Sequence, residues 1–194
     1  MPAEARIAYQ LKAGRALPFV DMRIVCEDGH ALPHDGVADG RLQVRGPSIV
    51  KAYFKANADL LTADGWFDTG DVAMIDADGY LQITDRAKDV IKTGGEWVSS
   101  IDIENAAMMH PGVASAAVIG VAHPKWQERP LLIIVPREGA SPDGNDIREF
   151  VKAKLDKIAW PDAVEFVKEL PLGATGKVLK TELRKKFKGY QLPG

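Results

Sequence analysis

The run LPLGATGKVLK, residues 170–180, sets Lys177 behind Gly173 and Gly176. Glycines let a backbone approach a ligand closely and turn its N–H groups toward an anion, and the lysine adds a mobile point cation. That combination suits stabilisation of negative charge on a carboxylate or phosphate. It is not a Walker-type loop, because Val178 stands where a metal-binding hydroxyl would follow the lysine. A solvated turn with an exposed lysine is the competing reading.

Two further runs hold groups of the right type. In WFDTGDVAMIDADGY, Asp71 directly follows Gly70 at the entrance to a predicted strand, where a carboxylate can accept both hydroxyls of a vicinal diol or simply cap a turn. Asp76 and Asp78 suit the hairpin turn beside it. In ITDRAKDVIKTGGEW, Arg86, Lys88 and Lys92 surround Asp85 and Asp89, and Gly94-Gly95 follow. Arginine offers a fork for ribose or phosphate oxygens, although a solvated charge run has the same composition. Trp97 is large enough to line a groove or to pack. His123 has no Asp, Ser or Cys beside it, and there is no GxSxG elbow, so a hydrolytic triad is excluded.

These residues need elements to position them. DMRIVCEDG and GRLQVRG are short β-prone runs, and Asp78-Gly79 between two alternating apolar runs is a strong hairpin signal. Strands are expected at 22–25, 41–45, 72–76 and 80–83. Residues 1–17 have helical composition without a capping signal, and read as a leader broken at Pro18. From Lys88 the texture changes. Ser99 or Ser100 caps a helix running to about His110, the run VASAAVIGVAHP at 113–124 and Leu131 to Val135 read as buried strands, and Ser141-Pro142 opens a helix carrying Ile147, Val151, Leu155 and Ile158 on one face. A short strand at 164–167, the glycine loop at 173–176 and a helix marked by Leu179, Leu183 and Phe187 complete the chain. The expected fold class is α+β, a small antiparallel β subdomain over residues 1–87 followed by a compact α+β domain over 88–194. The change of texture puts a hinge near 86–89.

Composition narrows the partners. The chain has 194 residues, 46% of them hydrophobic, which is enough for a real core. Lys plus Arg total 25 against 27 Asp plus Glu, so the net charge of -2 cannot collect a nucleic-acid backbone. The single Cys26 makes no intrachain disulfide, and histidines 30, 34, 110 and 123 have no metalloprotease spacing, so no metal site is expected here. No apolar run approaches the roughly 20 residues of a membrane span, and the charged start argues against a secretory signal. A cytoplasmic protein is expected.

Three ordered segments, GWFDTGDVAMIDADGYLQITDRAKDVIKTGGEWVSSIDIE, VIGVAHPKWQERPLLIIV and LPLGATGKVLKTELRKKF, give a broader resemblance. Together they resemble the carboxyl-terminal part of acyl-adenylate-forming (AMP-binding) enzymes. GGEWVSSIDIE and HPKWQERP look most like the medium- and long-chain fatty acyl-CoA ligase branch, ahead of aryl-CoA ligases and peptide-synthetase adenylation domains. The resemblance implies an ATP-dependent fatty acid–CoA ligase that passes through acyl-AMP, with ATP, Mg²⁺ and CoA as substrates and no permanently bound cofactor. It implies Lys177 as the catalytic lysine of adenylation, Asp71 and Arg86 as nucleotide-binding residues, Lys88 at the hinge, and Gly94, Gly95, Glu96 and Trp97 along the CoA channel. Asp85, Gln127 and Ser99-Ser100 depart from the usual pattern. The family's phosphate loop, adenine motif and acyl pocket are not in this sequence, so a missing amino-terminal domain is the expected partner and the isolated chain is expected to be inactive. A noncatalytic binding module derived from such an enzyme is the alternative.

Overall fold

In a computed structural model of the chain, residues 3–54 and 60–193 are described. The chain divides into two compact units, Met1–Lys88 and Asp89–Gly194.

The first unit is an antiparallel sheet preceded by helix α1 (Ala3–Gln10). Its strands are β1 (Gly14–Arg15), β2 (Asp21–Val25), β3 (Gly40–Arg45), β4 (Phe67–Ile75) and β5 (Tyr80–Arg86), in the order β1-β5-β4-β3-β2. Ile24, Leu42, Ala73 and Ile75 form its core on one face, the arrangement that alternation in the sequence dictates. The β4–β5 turn is built as its residues require. Asp76 Oδ1 accepts the backbone N–H groups of Asp78 at 3.0 Å and Tyr80 at 2.8 Å, and Gly79 takes φ 81°. The amino-terminal segment is not a leader set apart from the fold. Arg15 and Gly14 pair with Tyr80 and Leu81, Ala13 N–H donates to Leu81 O, and Lys12 Nζ meets Asp76 Oδ2 at 2.5 Å. The edge of β5 offered unpaired backbone groups, and this segment takes them.

The second unit contains β6 (Ile91–Thr93), β7 (Glu96–Val98), α2 (Ser100–Met108), β8 (Val113–His123), β9 (Gln127–Pro136), α3 (Gly144–Lys152), a 3₁₀ turn (Lys157–Ala159), β10 (Ala163–Phe166) and α4 (Lys180–Lys186). Its sheet runs β10-β9-β6-β7, with β8 also paired to β9. β10 lies parallel to β9, which demands a crossover, and α3 supplies it. Val118, Leu132 and Ile134 pack with Ile103, Ala107, Ile147 and Val151 of α2 and α3. Ala117, Ile119, Leu131 and Ile133 belong to a second core cluster with Leu183 of α4. Burial on both faces explains why the β8 and β9 sequences are nearly continuous apolar runs without alternation.

α2 begins where its sequence says, with Ser99 Oγ accepting Asp102 N–H at 3.1 Å. The helix expected through Ile158 stops at Lys152, and its cap is Asp143 instead of Ser141. Leu155 and Ile158 still pack on the same core, but from a turn and the 3₁₀ segment. The carbonyls of this stretch find side-chain donors. Trp160 Nε1 donates to Leu155 O at 2.9 Å, and Arg129 donates to the carbonyls of Ile158 and Trp160, both at 2.8 Å. That replaces the ladder a longer helix would have provided. No helix among the described residues is long and apolar enough to cross a membrane.

Candidate functional site

Asp71 and Arg86 stand directly opposite each other on β4 and β5. Gly70, at φ 76°, turns the chain just before Asp71, and Ala87 N–H closes onto Gly70 O at 3.0 Å. Arg86 Nε lies 3.7 Å from Asp71 Oδ1, too long for a hydrogen bond, and the arginine side chain is 59% exposed. A carboxylate and a guanidinium are therefore offered side by side, one able to accept hydroxyls and the other to hold anionic oxygens. Asp85 is buried, and its Oδ1 accepts Arg86 N–H at 2.7 Å. This fixes the backbone that carries Arg86. Lys88, exposed in the turn after β5, is the last residue of the first unit.

Gly94 and Gly95 form the two-residue turn of the β6–β7 hairpin, with φ 59° and 90°. Positive φ at both positions is the hairpin geometry that glycine pairs favour. A Cβ on Gly94 would come within 2.9 Å of Trp126 Cε3, whereas Gly95 has open space. Glu96 is exposed and Trp97 half-buried.

Lys177 lies on a closed turn in the second unit. Gly173 N–H donates to Lys177 O at 2.8 Å, Leu179 N–H to Pro171 O at 2.8 Å, and Leu172 bridges Val178. Gly176, at φ 75°, allows the reversal. Lys177 is exposed and its side chain meets no ion-pair or hydrogen-bond partner among the described residues. A cation held on a fixed backbone without a resident counter-ion is suited to meeting charge that develops on a substrate.

The remaining candidates have structural work. His123 Nδ1 accepts the N–H groups of Lys125 and Trp126, each at 3.1 Å, and so caps the β8–β9 turn. Buried His110 accepts Gly112 N–H at Nδ1 and meets Asp146 at Nε2, both at 3.1 Å. Glu128 Oε2 accepts Lys92 N–H at 3.0 Å and fills the space beside Gly120. No group of three or more His, Cys, Asp or Glu among the described residues could hold a metal ion.

Sequence reasoning assigned no role to Arg129 or Lys180. Arg129, 9% exposed, makes paired hydrogen bonds to Asp162 at 2.8 to 3.1 Å and pins the 3₁₀ segment to β9. A charged residue inside an apolar strand was the available signal. Lys180 Nζ reaches Glu104 Oε1 at 2.7 Å and Ser100 Oγ at 2.6 Å. Nothing in the sequence marked that pairing.

Known proteins resemble this chain along most of its length. Residues 102–177 match the family model of the AMP-binding enzyme C-terminal domain. The chain is 52% identical over 188 residues to 3-methylmercaptopropionyl-CoA ligase of Ruegeria lacuscaerulensis, covering 97% of this chain and 35% of that protein. It is 46% identical over 191 residues to a long-chain-fatty-acid–CoA ligase of Thermus thermophilus, covering 96% and 35%. Among solved structures, ATP-bound MatB from Rhodopseudomonas palustris superposes with a TM-score of 0.81 at 35% identity, over 92% of this chain and 36% of that one. The chain thus spans about a third of the length of the relatives it matches. Because these relatives take different acids, the likeness does not single out the fatty-acid branch. Over residues 102–177 the chain is an AMP-binding enzyme C-terminal domain, and along nearly its whole length it is homologous to CoA ligases.

Proposed function

We propose that this chain supplies the carboxyl-terminal part of an ATP- and CoA-dependent acid–thiol ligase. In the first half-reaction a carboxylate oxygen attacks the α-phosphorus of ATP, an acyl–phosphate bond forms, and magnesium pyrophosphate leaves. In the second, the CoA sulfur attacks the acyl carbonyl, AMP leaves, and the thiol proton is released. Lys177 is the cation for the first step, where negative charge gathers between carboxylate and α-phosphate. Asp71 accepts the ribose hydroxyls and Arg86 faces the nucleotide oxygens. Lys88 is the hinge between steps, and the Gly94-Gly95 turn with Glu96 and Trp97 borders the path of the CoA pantetheine. The missing amino-terminal domain provides the triphosphate, adenine and acyl sites. The proposed acid is a medium- or long-chain fatty acid, supported by the likeness to the Thermus enzyme.

The observation that carries this reading is Lys177, an exposed cation with no counter-ion among the described residues, on a closed turn at the end of the family match. The test is turnover by the complete protein containing this chain, with ATP, Mg²⁺, CoA and acids of graded length. 3-Methylmercaptopropionate belongs in the series because of the 52% identical relative. Acyl-CoA and AMP formed in equal amounts, best with acids of medium or long chain, is the expected result. A preference for the short thioether acid would overturn the choice of acid, and no AMP from any acid would overturn the reaction.

A further inference from the structure

We infer that Lys180 is a positioning residue for adenylation, acting through the turn that presents Lys177; this rests on the reaction proposed above. The inference starts from an electrostatic anomaly. Lys180 is the first residue of α4, where the helix dipole is positive and a cation is unfavourable. The helix has no side-chain cap there, since Leu179 occupies the N-cap position. Its other basic residues, Arg184, Lys185 and Lys186, lie in the last turn, where the dipole favours them.

Lys180 is held in this unfavourable place by what it touches. Its side chain is 11% exposed, with Nζ at 2.7 Å from Glu104 Oε1 and 2.6 Å from Ser100 Oγ. Glu104 Oε1 in turn accepts the N–H of Val118, in the middle of β8, at 2.8 Å. A charge-assisted chain therefore runs from α4 through α2 to β8.

The turn needs such an anchor. Its two legs are bonded to each other, as Leu179 N–H to Pro171 O and Gly173 N–H to Lys177 O, which fixes the shape of the turn but not its direction. On one side Leu170 is buried in the core. On the other, Val178 packs against the second core cluster from a partly buried position, while Leu172 and Leu179 are 59% and 39% exposed. Lys180, three residues after Lys177, adds the charged tie that joins the exit leg to α2. A small misplacement of a charge aimed at a transition state costs rate disproportionately.

The experiment uses the complete protein and measures the half-reactions separately, as ATP–pyrophosphate exchange and as thioester formation from supplied acyl-AMP. Lys180→Met should slow exchange on the order of 10- to 100-fold and leave thioester formation within about threefold. Lys180→Arg, which keeps a cation within reach of Glu104, should restore exchange. Lys180→Met combined with Glu104→Gln relieves the uncompensated carboxylate and should return Tm to the parent value without returning the exchange rate. Amide exchange gives a second readout that does not depend on turnover. In Lys180→Met the Gly173 and Leu179 amides should exchange at least about tenfold faster while those of Ile119 and Leu131 do not change. Equal losses in both half-reactions, recovery of rate together with Tm in the double variant, or unchanged Gly173 and Leu179 exchange would each overturn the positioning role. A parent protein that makes no acyl-AMP overturns the proposed reaction instead, and the amide exchange still decides whether Lys180 anchors the turn.

Discussion

The Asp71–Arg86 pair and the Lys177 turn carry charge in opposite ways. Asp71 and Arg86 sit at matched positions of a regular antiparallel ladder, and each is the other's nearest opposite charge at 3.7 Å. Lys177 sits on an irregular turn, and its side chain meets no opposite charge among the described residues. The ladder fixes its pair locally, through cross-strand register. The turn owes its shape to local hydrogen bonds and its direction to Leu170, to Val178 and to the tie of Lys180 on α4 to α2. The difference is instructive. A group that only holds a bound nucleotide tolerates a neighbour that balances it, whereas a cation meant for developing charge works best without a resident partner.

The largest effect that could break this comparison is Lys177→Ala. In the complete protein it should slow acyl-AMP formation roughly hundredfold, about 3 kcal/mol, while thioester formation from supplied acyl-AMP changes little. Equal losses in the two steps would remove the distinction. Next comes Lys88→Pro, which fixes φ in the turn after β5. If Lys88 is the hinge, thioester formation should fall about tenfold or more with adenylation within a few-fold, the reverse of Lys177→Ala. Both half-reactions, assayed side by side, check it.

Asp71→Asn sharpens the ladder side of the comparison. Loss of the carboxylate should raise the KM for ATP about tenfold and weaken use of supplied acyl-AMP to a similar degree, because the nucleotide is held in both steps. An effect confined to one step would show that Asp71 is not a common nucleotide contact. Smaller again are Gly70→Ala and Gly176→Ala. Both glycines have positive φ and open space around the missing Cβ, so each substitution should cost about 1 kcal/mol of stability through backbone strain alone. Thermal unfolding measures this, and a much larger loss at either position would mean that its turn is more tightly packed than its backbone suggests.

The smallest effect is on the alkaline side. Burial, and then the hydrogen bond to Glu165 at 2.7 Å, push the Tyr190 phenol up to about 12 from 10.0. The neutral phenol is the form that folding favours, so its contribution is complete below pH 10 and is lost as pH rises through about 12. Denaturation between these values should be shallower in Tyr190→Phe. An unchanged slope would show that this contact adds nothing to the second unit.

Much of the fold was legible because it is locally encoded. Asp78-Gly79 demanded a hairpin, Ser99 capped α2, and the near-continuous apolar runs of β8 and β9 pointed to buried strands, which the structure covers on both faces. The end of α3 was not legible. Ile147, Val151, Leu155 and Ile158 keep helical spacing, and only the donors Trp160 and Arg129 make a non-helical path affordable after Lys152. The pairing of Gly14-Arg15 with β5 was equally hidden, since two residues show no periodicity and their partners come some 65 residues later.

The sequence by itself determined most of the element types, the turn at Gly79, and the set of residues whose chemistry suits a nucleotide and an acyl phosphate; the hairpin at Gly94-Gly95 came from the structure. Tertiary structure alone decided which charges are neutralised and which are offered to a ligand. Arg129 is bonded to Asp162, Lys180 to Glu104 and Asp85 to the backbone of Arg86, while Lys177 faces outward. Residue type and spacing carry no record of this, because Coulombic attraction and hydrogen bonding depend on distance through space, and Lys180 and Ser100 meet across 80 positions of chain.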